Sequence, residues 1–560
     1  VAIKDKSPTR KRWFAEGRET ADQVAHILGS LTQQHSTFSR QDLARQVSLA
    51  TDSASAFQTL MACVESSPEL ARLPGSDRLS TRSMVRAEAV LAATVDAMSQ
   101  DHSHPLNRKG LRLRGQGFDL SPAPQAALTH VTNGEALSCV TGYAGAGKSH
   151  MLGAARQVWE ASGYTVRGAA LSGIAAEGLQ SGSGIASSTL HALQWGMSNG
   201  TITFTRQDVL VIDEAGMVGS RQMQQVISAA RLGGAKVVLV GDPEQLQSIE
   251  AGAAYRAVAD RTGAASIDDV RRQRVDWQRS ATRSLATGRT AEALNAYAQA
   301  GQVHSHESVD AATAALIAAW SKNLGASRDA PDLILAPTRG DVAALNAGAR
   351  DAMRKAGRLG QTNQLDATEE RMGRPSKTFK LDLAIGDRVL FTKNDRRLGV
   401  RNGTVGTLEA FGRSSLVIRL DNKERVTVDL DRYRNLAHGY ALTVHKAQGM
   451  TVDRAHVLAG RSMDRHMAYV ALSRHRDSVS LHYGRDQFAT PEKLTRTLSR
   501  QRLKDTTLDY GAPERVPMPK RPMVTPTWSP LSAEKRSDRV RREAIEWRLR
   551  NPEKDFGLEL

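Results

Sequence analysis

The stretch GYAGAGKSHMLGAA, residues 142–155, decides how this chain is read. It lies between an apolar run at 136–140 and a long helical pattern. Gly142, Gly147, Lys148 and Ser149 match G-x-x-x-x-G-K-[ST], the pattern of a phosphate-cradling loop. Glycines, Gly145 among them, let backbone N–H groups converge on a β-phosphate, and the helix that follows points its positive end at the same group. Lys148 then reaches the β/γ oxygens of ATP, and Ser149 can ligate Mg²⁺. Motors, switches, kinases and pumps all use such a loop, so the rest of the chain has to say what its chemistry moves.

Working outward, ALSCV, YTVRGAAL, DVLVIDEA and AKVVLVGD read as buried strands alternating with helices from about 119 to 261. Continuous apolar runs of this kind suit a parallel sheet covered on both faces. DVLVIDEA delivers Asp213 and Glu214 to the carboxyl end of a strand, where α/β folds place their ligands. Asp213 suits Mg²⁺ and Glu214 suits the general base that orients the attacking water, although two strand-end acids can also cap the next helix. VVLVGDPEQLQSI repeats the device and places Gln245 where it can sense a γ-phosphate. Arg272 in DDVRRQR and Arg474 in YVALSRHR are candidates for stabilising transition-state charge; taken singly, each is as readily a surface residue. Gln125 in DLSPAPQAAL is placed to hydrogen-bond an adenine edge, or is a surface glutamine on a helix.

A second alternating block runs over 262–490, with PDLILAPT, RAHVLAG and SVSLHYG as its strands. Within it, 383–430 is a string of short strands parted by Asn-Gly, Gly-Arg-Ser-Ser and Asp-Asn turns, which predicts a small inserted β-barrel. Residues 1–101 read as helical, with Thr20 and Ser39 as N-caps and a winged-helix-like domain as one possibility. The polar, basic stretch 102–118 reads as a linker, and its His102-Ser-His104, like His304-Ser-His306, as solvated loop. Residues 491–560 read as a basic, proline-rich, largely disordered tail.

Bulk properties narrow the partners. Lys plus Arg exceeds Asp plus Glu by 17, which points to a polyanion. No apolar run is long enough to span a bilayer, so membrane insertion is not expected. The two cysteines, Cys63 and Cys139, are too few for a disulfide framework or a zinc site, and they fit a reducing, cytoplasmic setting. The chain starts at Val1 rather than Met, which reads as a fragment or a processed chain.

The ordered set GYAGAGKS, VLVIDEAG, VGDPEQLQS, VRRQR, ALTVHKAQGMT and YVALSRHR resembles the motif series of superfamily 1 DNA helicases of the RecD-like kind. RGAALSGIAAEGLQSGSGIASSTLHAL, LILAPTRGDVAALNAGAR and LSTRSMVRAEAVL resemble the helicase part of conjugative transfer relaxases of the TraI/TrwC/TraA type. The resemblance implies two RecA-like motor domains that close on ATP and advance a single strand of DNA, 5′-to-3′, up to a duplex junction. It implies that Ser172, Gly173, Thr189, His191, Thr443 and His445 face the strand, and that Lys446 and Gln448 couple that groove to the nucleotide. A nuclease that nicks DNA, if the parent protein has one, would lie upstream of Val1, and the tail would meet the conjugation or secretion machinery. The residues themselves agree on a polyanion: hydroxyl, imidazole and ammonium groups in ALTVHKAQGMT suit a phosphate backbone, though an ordinary capped turn is open. Trp195, Trp277, Phe391 and Tyr440 are possible base-stacking platforms, Trp195 and Phe391 foremost, although each taken singly is more often a packing residue. Two other readings stand beside the relaxase motor: a stand-alone RecD-like repair helicase, and a catalytically silent DNA-binding recruitment module.

Overall fold

A computed structural model of the chain describes residues 20–322, 332–371 and 374–511. Most of the expected tail, 512–560, lies outside the described residues. The first sheet is six-stranded and parallel, in the order Ser187–Thr189, Thr165–Ala170, Asp208–Asp213, Lys236–Gly241, Leu137–Gly142, Ala265–Ile267. Alternate residues of a strand point to opposite faces, and both faces are covered. Cys139, Leu210, Ile212, Val237 and Leu239 pack with helices Ser220–Gly233 and Arg82–Ser99, while Val140, Val209, Val211, Val238 and Val240 pack with Pro122–Val131 and Lys148–Ala161. This double burial is why the strands read as unbroken apolar runs. Cys139 is fully buried and its thiol is pushed up to about 11, an inert group as its strand context predicts.

The second sheet is five-stranded and parallel, in the order Ala441–Thr443, Leu333–Ala336, Val452–Leu458, His475–Gly484, Val303–His306. The chain crosses between lobes later than the sequence boundary at 261/262, because Ala265–Ile267 still pairs with Leu137–Gly142 of the first sheet. The insert also differs from the expected barrel. It is a five-stranded antiparallel sheet, ordered Arg425–Asp429, Ser415–Leu420, Val405–Phe411, Arg388–Phe391, Leu436–His438, whose two outer strands do not pair with each other. A separate hairpin, Thr362–Arg371 with Arg374–Ala384, covers it instead, adding Ala367, Leu381 and Leu383 to its core and donating from Thr368 N to Arg434 O (2.8 Å).

The ends of the chain are more integrated than composition implies. Ser39 caps Arg40–Ala50 in a capping box with Asp42, as read; helix Thr20–Gln34 already includes Thr20. The stretch expected as a linker contains helix Arg108–Gln116, docked on the P-loop helix through Gly110; a Cβ there would meet Ser162 Oγ at 2.0 Å. Helix Arg82–Ser99 is part of the first lobe's core through Leu91, Val95 and Met98. Within the expected tail, Pro491–Leu498 is a helix buried against the second lobe through Leu494 and Leu498, and the chain then straps back to the N-terminal helices. The strap ends on Glu88, whose buried carboxylate accepts from Ser36 Oγ, Ser220 Oγ, Thr507 N and Thr507 Oγ1, each at 2.6 Å. Glu88→Ala leaves those donors without an acceptor, and it is expected to cost about 3 kcal/mol or more in denaturant unfolding.

Of the four histidines read as solvated loop, only His102 is exposed. His104 is buried with Nε2 at 2.9 Å from Gly234 O, and His304 and His306 sit on the edge strand Val303–His306. Both stack on His482 at ring-centroid distances of 4.7 and 5.5 Å, because the parallel register sets His304 beside His482. Burial, then the neighbouring His304, His306 and His456, push His482 down to about 3 from its ordinary 6.5. The unfolded chain therefore takes up a proton that the folded chain refuses as pH falls from 6.5 towards 3. From this residue alone stability should fall by about 1.4 kcal/mol per pH unit below that point. Urea midpoints between about pH 7.5 and about pH 5.5 test this, and His482→Gln should flatten the dependence.

Candidate nucleotide cleft and strand-facing surface

The loop between strand Leu137–Gly142 and helix Lys148–Ala161 is shaped by its glycines. Gly145 (φ 75°) and Gly147 (φ 88°) take left-handed backbone, which favours glycine. Gly147 caps the helix without any side-chain hydrogen bond, so the first amides of the helix remain free for an anion. Gly145 also lies against the segment that crosses between the lobes. A Cβ on it would come 2.4 Å from Arg272 Cβ, and Arg271 N donates to Gly145 O at 2.9 Å. The Lys148 ammonium donates to the carbonyls of Gly142 (2.5 Å) and Tyr143 (3.2 Å).

These groups open onto a cleft of about 640 Å³ lined by both lobes. Lys148, Ser149, Asp213, Glu214, Gln245, Arg272 and Arg474 all line it, so all the residues read as catalytic or metal-ligating meet in one place. Gly145 and Gly147 line it too. Gly142 serves by holding Lys148, and Gln448 by donating from Nε2 to Glu214 Oε2 at 3.1 Å. Gln125 is the exception. It is not among the lining residues, and its helix Pro122–Val131 packs beside the edge strand Ala265–Ile267 and the P-loop helix.

The charges of the cleft are unbalanced within each wall. Burial, and next the adjacent Glu214, raise Asp213 to about 7. Glu214 adopts φ 52°, a strained conformation for a residue with a side chain. Burial also raises Asp242, whose Oδ2 accepts from Gln245 Nε2 at 3.0 Å. On the facing wall, burial and then Arg474 push Arg272 down to about 9, and burial lowers Arg474. Among the described residues neither guanidinium makes an ion pair. Arg272 donates to Ser473 O (2.6 Å), and Arg474 to Val470 O (2.9 Å), Met450 O (3.4 Å) and Ser473 Oγ (3.1 Å). A divalent cation relieves the first imbalance and a polyphosphate the second. Ser149 and Asp213 are the residues that fit the cation. Among the described residues no cluster of three His, Cys, Asp or Glu could hold a metal, so Mg²⁺ here would draw its other ligands from water and the nucleotide.

The residues expected to face the strand sit at the carboxyl ends of both sheets, in strand ends, turns and the first turns of the following helices. Three of them carry local structure first. Ser172, Thr189 and Thr443 accept from the backbone N–H of Ala175, Ala192 and Lys446 at 3.1, 3.2 and 3.3 Å. His191 is exposed. His445 and Lys446 are half-buried, and burial lowers both. Gly173 is not open to a strand. Arg401 of the insert lies over it, donating to Gly173 O at 3.0 Å and Ser187 O at 3.3 Å, and a Cβ on Gly173 would fall 2.5 Å from Arg401 Cβ. Nothing in the sequence around Arg401 marks it beyond one positive charge in a turn. Of the four aromatic candidates only Trp195 is exposed, at 59 %. Phe391 is in the insert core, Tyr440 is buried and donates to Asp387 (2.6 Å), and Trp277 packs edge-on against Tyr297.

Fold and cleft together have the arrangement of a P-loop phosphate site closed between two α/β lobes. The chain matches the family model of an AAA domain over residues 119–308 and that of the viral superfamily 1 RNA helicase core domain over 403–482. The chain is similar to RecD-like superfamily 1 helicases and to conjugal transfer proteins. It is 38 % identical over 501 residues to "Conjugal transfer protein TraA" of Agrobacterium fabrum, covering 87 % of this chain and 44 % of that protein. It is 28 % identical over 375 residues to "ATP-dependent RecD2 DNA helicase" of Deinococcus radiodurans, covering 63 % of this chain and 48 % of that protein. The chain thus spans less than half the length of these relatives. A crystal structure of Pif1 helicase from Bacteroides with ADP-AlF3 and ssDNA aligns at 21 % identity and TM-score 0.46, over 68 % of this chain and 94 % of that one.

Gly145→Ala adds a methyl group where Arg272 already stands. Hydrolysis is expected to fall on the order of tenfold or more, read as phosphate release from the purified chain.

Proposed function

We propose that the chain is an ATP-driven translocase on single-stranded DNA that moves 5′-to-3′ and unwinds duplex junctions, the motor part of a conjugative relaxase. One observation carries the reading: Lys148, Ser149, Asp213, Glu214 and Gln245 of one lobe meet Arg474 of the other, with Arg272 on the crossing segment between them, in a single cleft. Its identity to the conjugal transfer proteins supports the relaxase setting, and with it a cytoplasmic location and contact with the transfer machinery through the C-terminal tail. Among the described residues no helix is long and apolar enough to cross a membrane.

The roles follow from position. Lys148 and the free amides after Gly147 hold the β- and γ-phosphates. Glu214 orients and deprotonates the attacking water. Arg272 and Arg474 meet the charge that spreads over the transferred phosphoryl oxygens. Ser149 and Asp213 would hold Mg²⁺, which would supply further charge neutralisation at the phosphates. Gln448 ties Glu214 to the loop carrying Thr443, His445 and Lys446, so a strand gripped there is felt by the base. Closure of the lobes on ATP and their release after hydrolysis would then ratchet the strand.

A stand-alone RecD-like helicase is the second reading, favoured by the similarity to RecD2. A silent recruitment module, whose cleft no longer turns over, has less support, since Lys148, Glu214, Gln245, Arg272 and Arg474 are all present and line one cleft.

Lys148→Ala is expected to abolish hydrolysis while strand binding persists. Phosphate release with and without an oligo(dT) strand, and unwinding of a duplex with a 5′ tail, measure both. A variant that still unwinds would overturn the reading.

A further inference from the structure

Helix Arg465–Leu472 of the second lobe lies across the loop that carries Gln245 in the first. Three of its side chains grip that loop. Arg465 pairs with Glu244. His466 donates from Nδ1 to the Glu244 carbonyl (2.8 Å), which leaves its Nε2 to accept from Gln247 Nε2 (3.1 Å). The acceptor-only carbonyl sets that tautomer. Tyr469 goes deepest. Its hydroxyl accepts from the P-loop amide of Ala144 (2.8 Å) and donates to Asp242 Oδ2 (2.8 Å). The direction is forced, because an amide nitrogen can only donate and the carboxylate only accept.

Asp242 Oδ2 is the same oxygen that accepts from Gln245 Nε2 at 3.0 Å. Tyr469 is fully buried, and Asp242 and Gln245 are 2 % exposed. Gln245 Oε1 is buried with no partner among the described residues, so the amide is fixed at its nitrogen alone, with its oxygen unclaimed. Phenylalanine would fill the space that Tyr469 fills. What the hydroxyl adds is a bridge across the seam, from the second lobe to the phosphate loop and to the carboxylate that aims Gln245.

We infer that Tyr469 is a positioning residue for hydrolysis: its hydroxyl locks Asp242 and the P-loop together from the opposite lobe, so that Gln245 follows the movement of that lobe. The inference rests on the ATPase reading above, in which Gln245 faces the γ-phosphate. Burial, with Asp242 beside it, keeps the phenol protonated, as the bridge requires. Opening of the seam has to break one of the two bonds, and that ties the aim of Gln245 to lobe closure.

Tyr469→Phe tests this in the full chain with Mg-ATP and an oligo(dT) strand. The strand-stimulated kcat should fall about tenfold, the loss of a buried, charge-assisted hydrogen bond. The KM for ATP should stay within about twofold, and strand affinity should hold. Exchange of the Ala144 amide should quicken about tenfold. An unchanged kcat would overturn the inference. So would a parallel loss of nucleotide and strand binding, which marks general damage. Amide exchange in the unaltered protein decides the matter even if the variant fails to fold: Ala144 must be protected, and exchange as fast as in an unstructured peptide overturns the bridge. Activity surviving in Lys148→Ala would instead sink the ATPase reading, with the Ala144 result left standing.

Discussion

Two guanidinium groups, Arg272 and Arg474, lie buried beside the P-loop at the seam of the molecule, attracted by Glu214 but, among the described residues, in an ion pair with no carboxylate. A cation crowded by protein costs free energy unless something compensates it. Here the compensation within the protein is partial, from the carbonyls of Val470, Met450 and Ser473 and the hydroxyl of Ser473. Those carbonyls lie at the end of helix Arg465–Leu472 and in the loops beside it, where helix geometry leaves acceptors unsatisfied. The opposite wall holds the complementary excess in Asp213, Glu214 and Asp242. The cleft is thus a pair of unbalanced surfaces held apart by the fold, and an anionic nucleotide with its cation is the ligand that balances both.

Holding those surfaces needs more than two sheets. The N-terminal helix Thr20–Gln34 ends against the first lobe, and its last carbonyls are taken from outside the helix. Arg221 Nη1 donates to Thr32 O (2.8 Å), Ala251 N to Gln33 O (3.1 Å) and Lys504 Nζ to Gln34 O (2.6 Å). Each is an orphan acceptor of a helix C-terminus. Lys504 also binds the carbonyls of Ile249 and Glu250, at the end of the loop that begins with Asp242 and Gln245. The strap therefore touches the loop that carries Gln245, the N-terminal helices and, through Thr507, Glu88. The insert does the same on the other side, where Arg401 joins the second lobe to Gly173 and Ser187 of the first.

Much of this was legible in the chain. Apolar runs such as VLVID and KVVLVG marked the parallel strands, since residues buried on both faces leave no polar alternation. The P-loop was legible because its glycines, lysine and serine are adjacent in sequence, and Ser39 because a cap acts within three residues. Short-range physics was also where the reading went wrong. RKGLRLRGQ is mostly basic and glycine-rich and looked like linker, yet it docks as a helix through one glycine, a contact no periodicity reports. His304 and His306 looked solvated until a parallel register set them beside His482. Phe391 and Tyr440 are packing residues, the commoner of the two readings open to them.

The sequence by itself determined the elements and the chemical inventory: which segments form buried strands, where a phosphate can be cradled, and which acids and bases accompany it. These depend on neighbours within a few residues. Only the tertiary structure decided that Arg401 covers Gly173 and that Tyr469 reaches Ala144 and Asp242. Such contacts join residues hundreds of positions apart, and their energies come from burial and hydrogen-bond geometry that exist only once both lobes are folded.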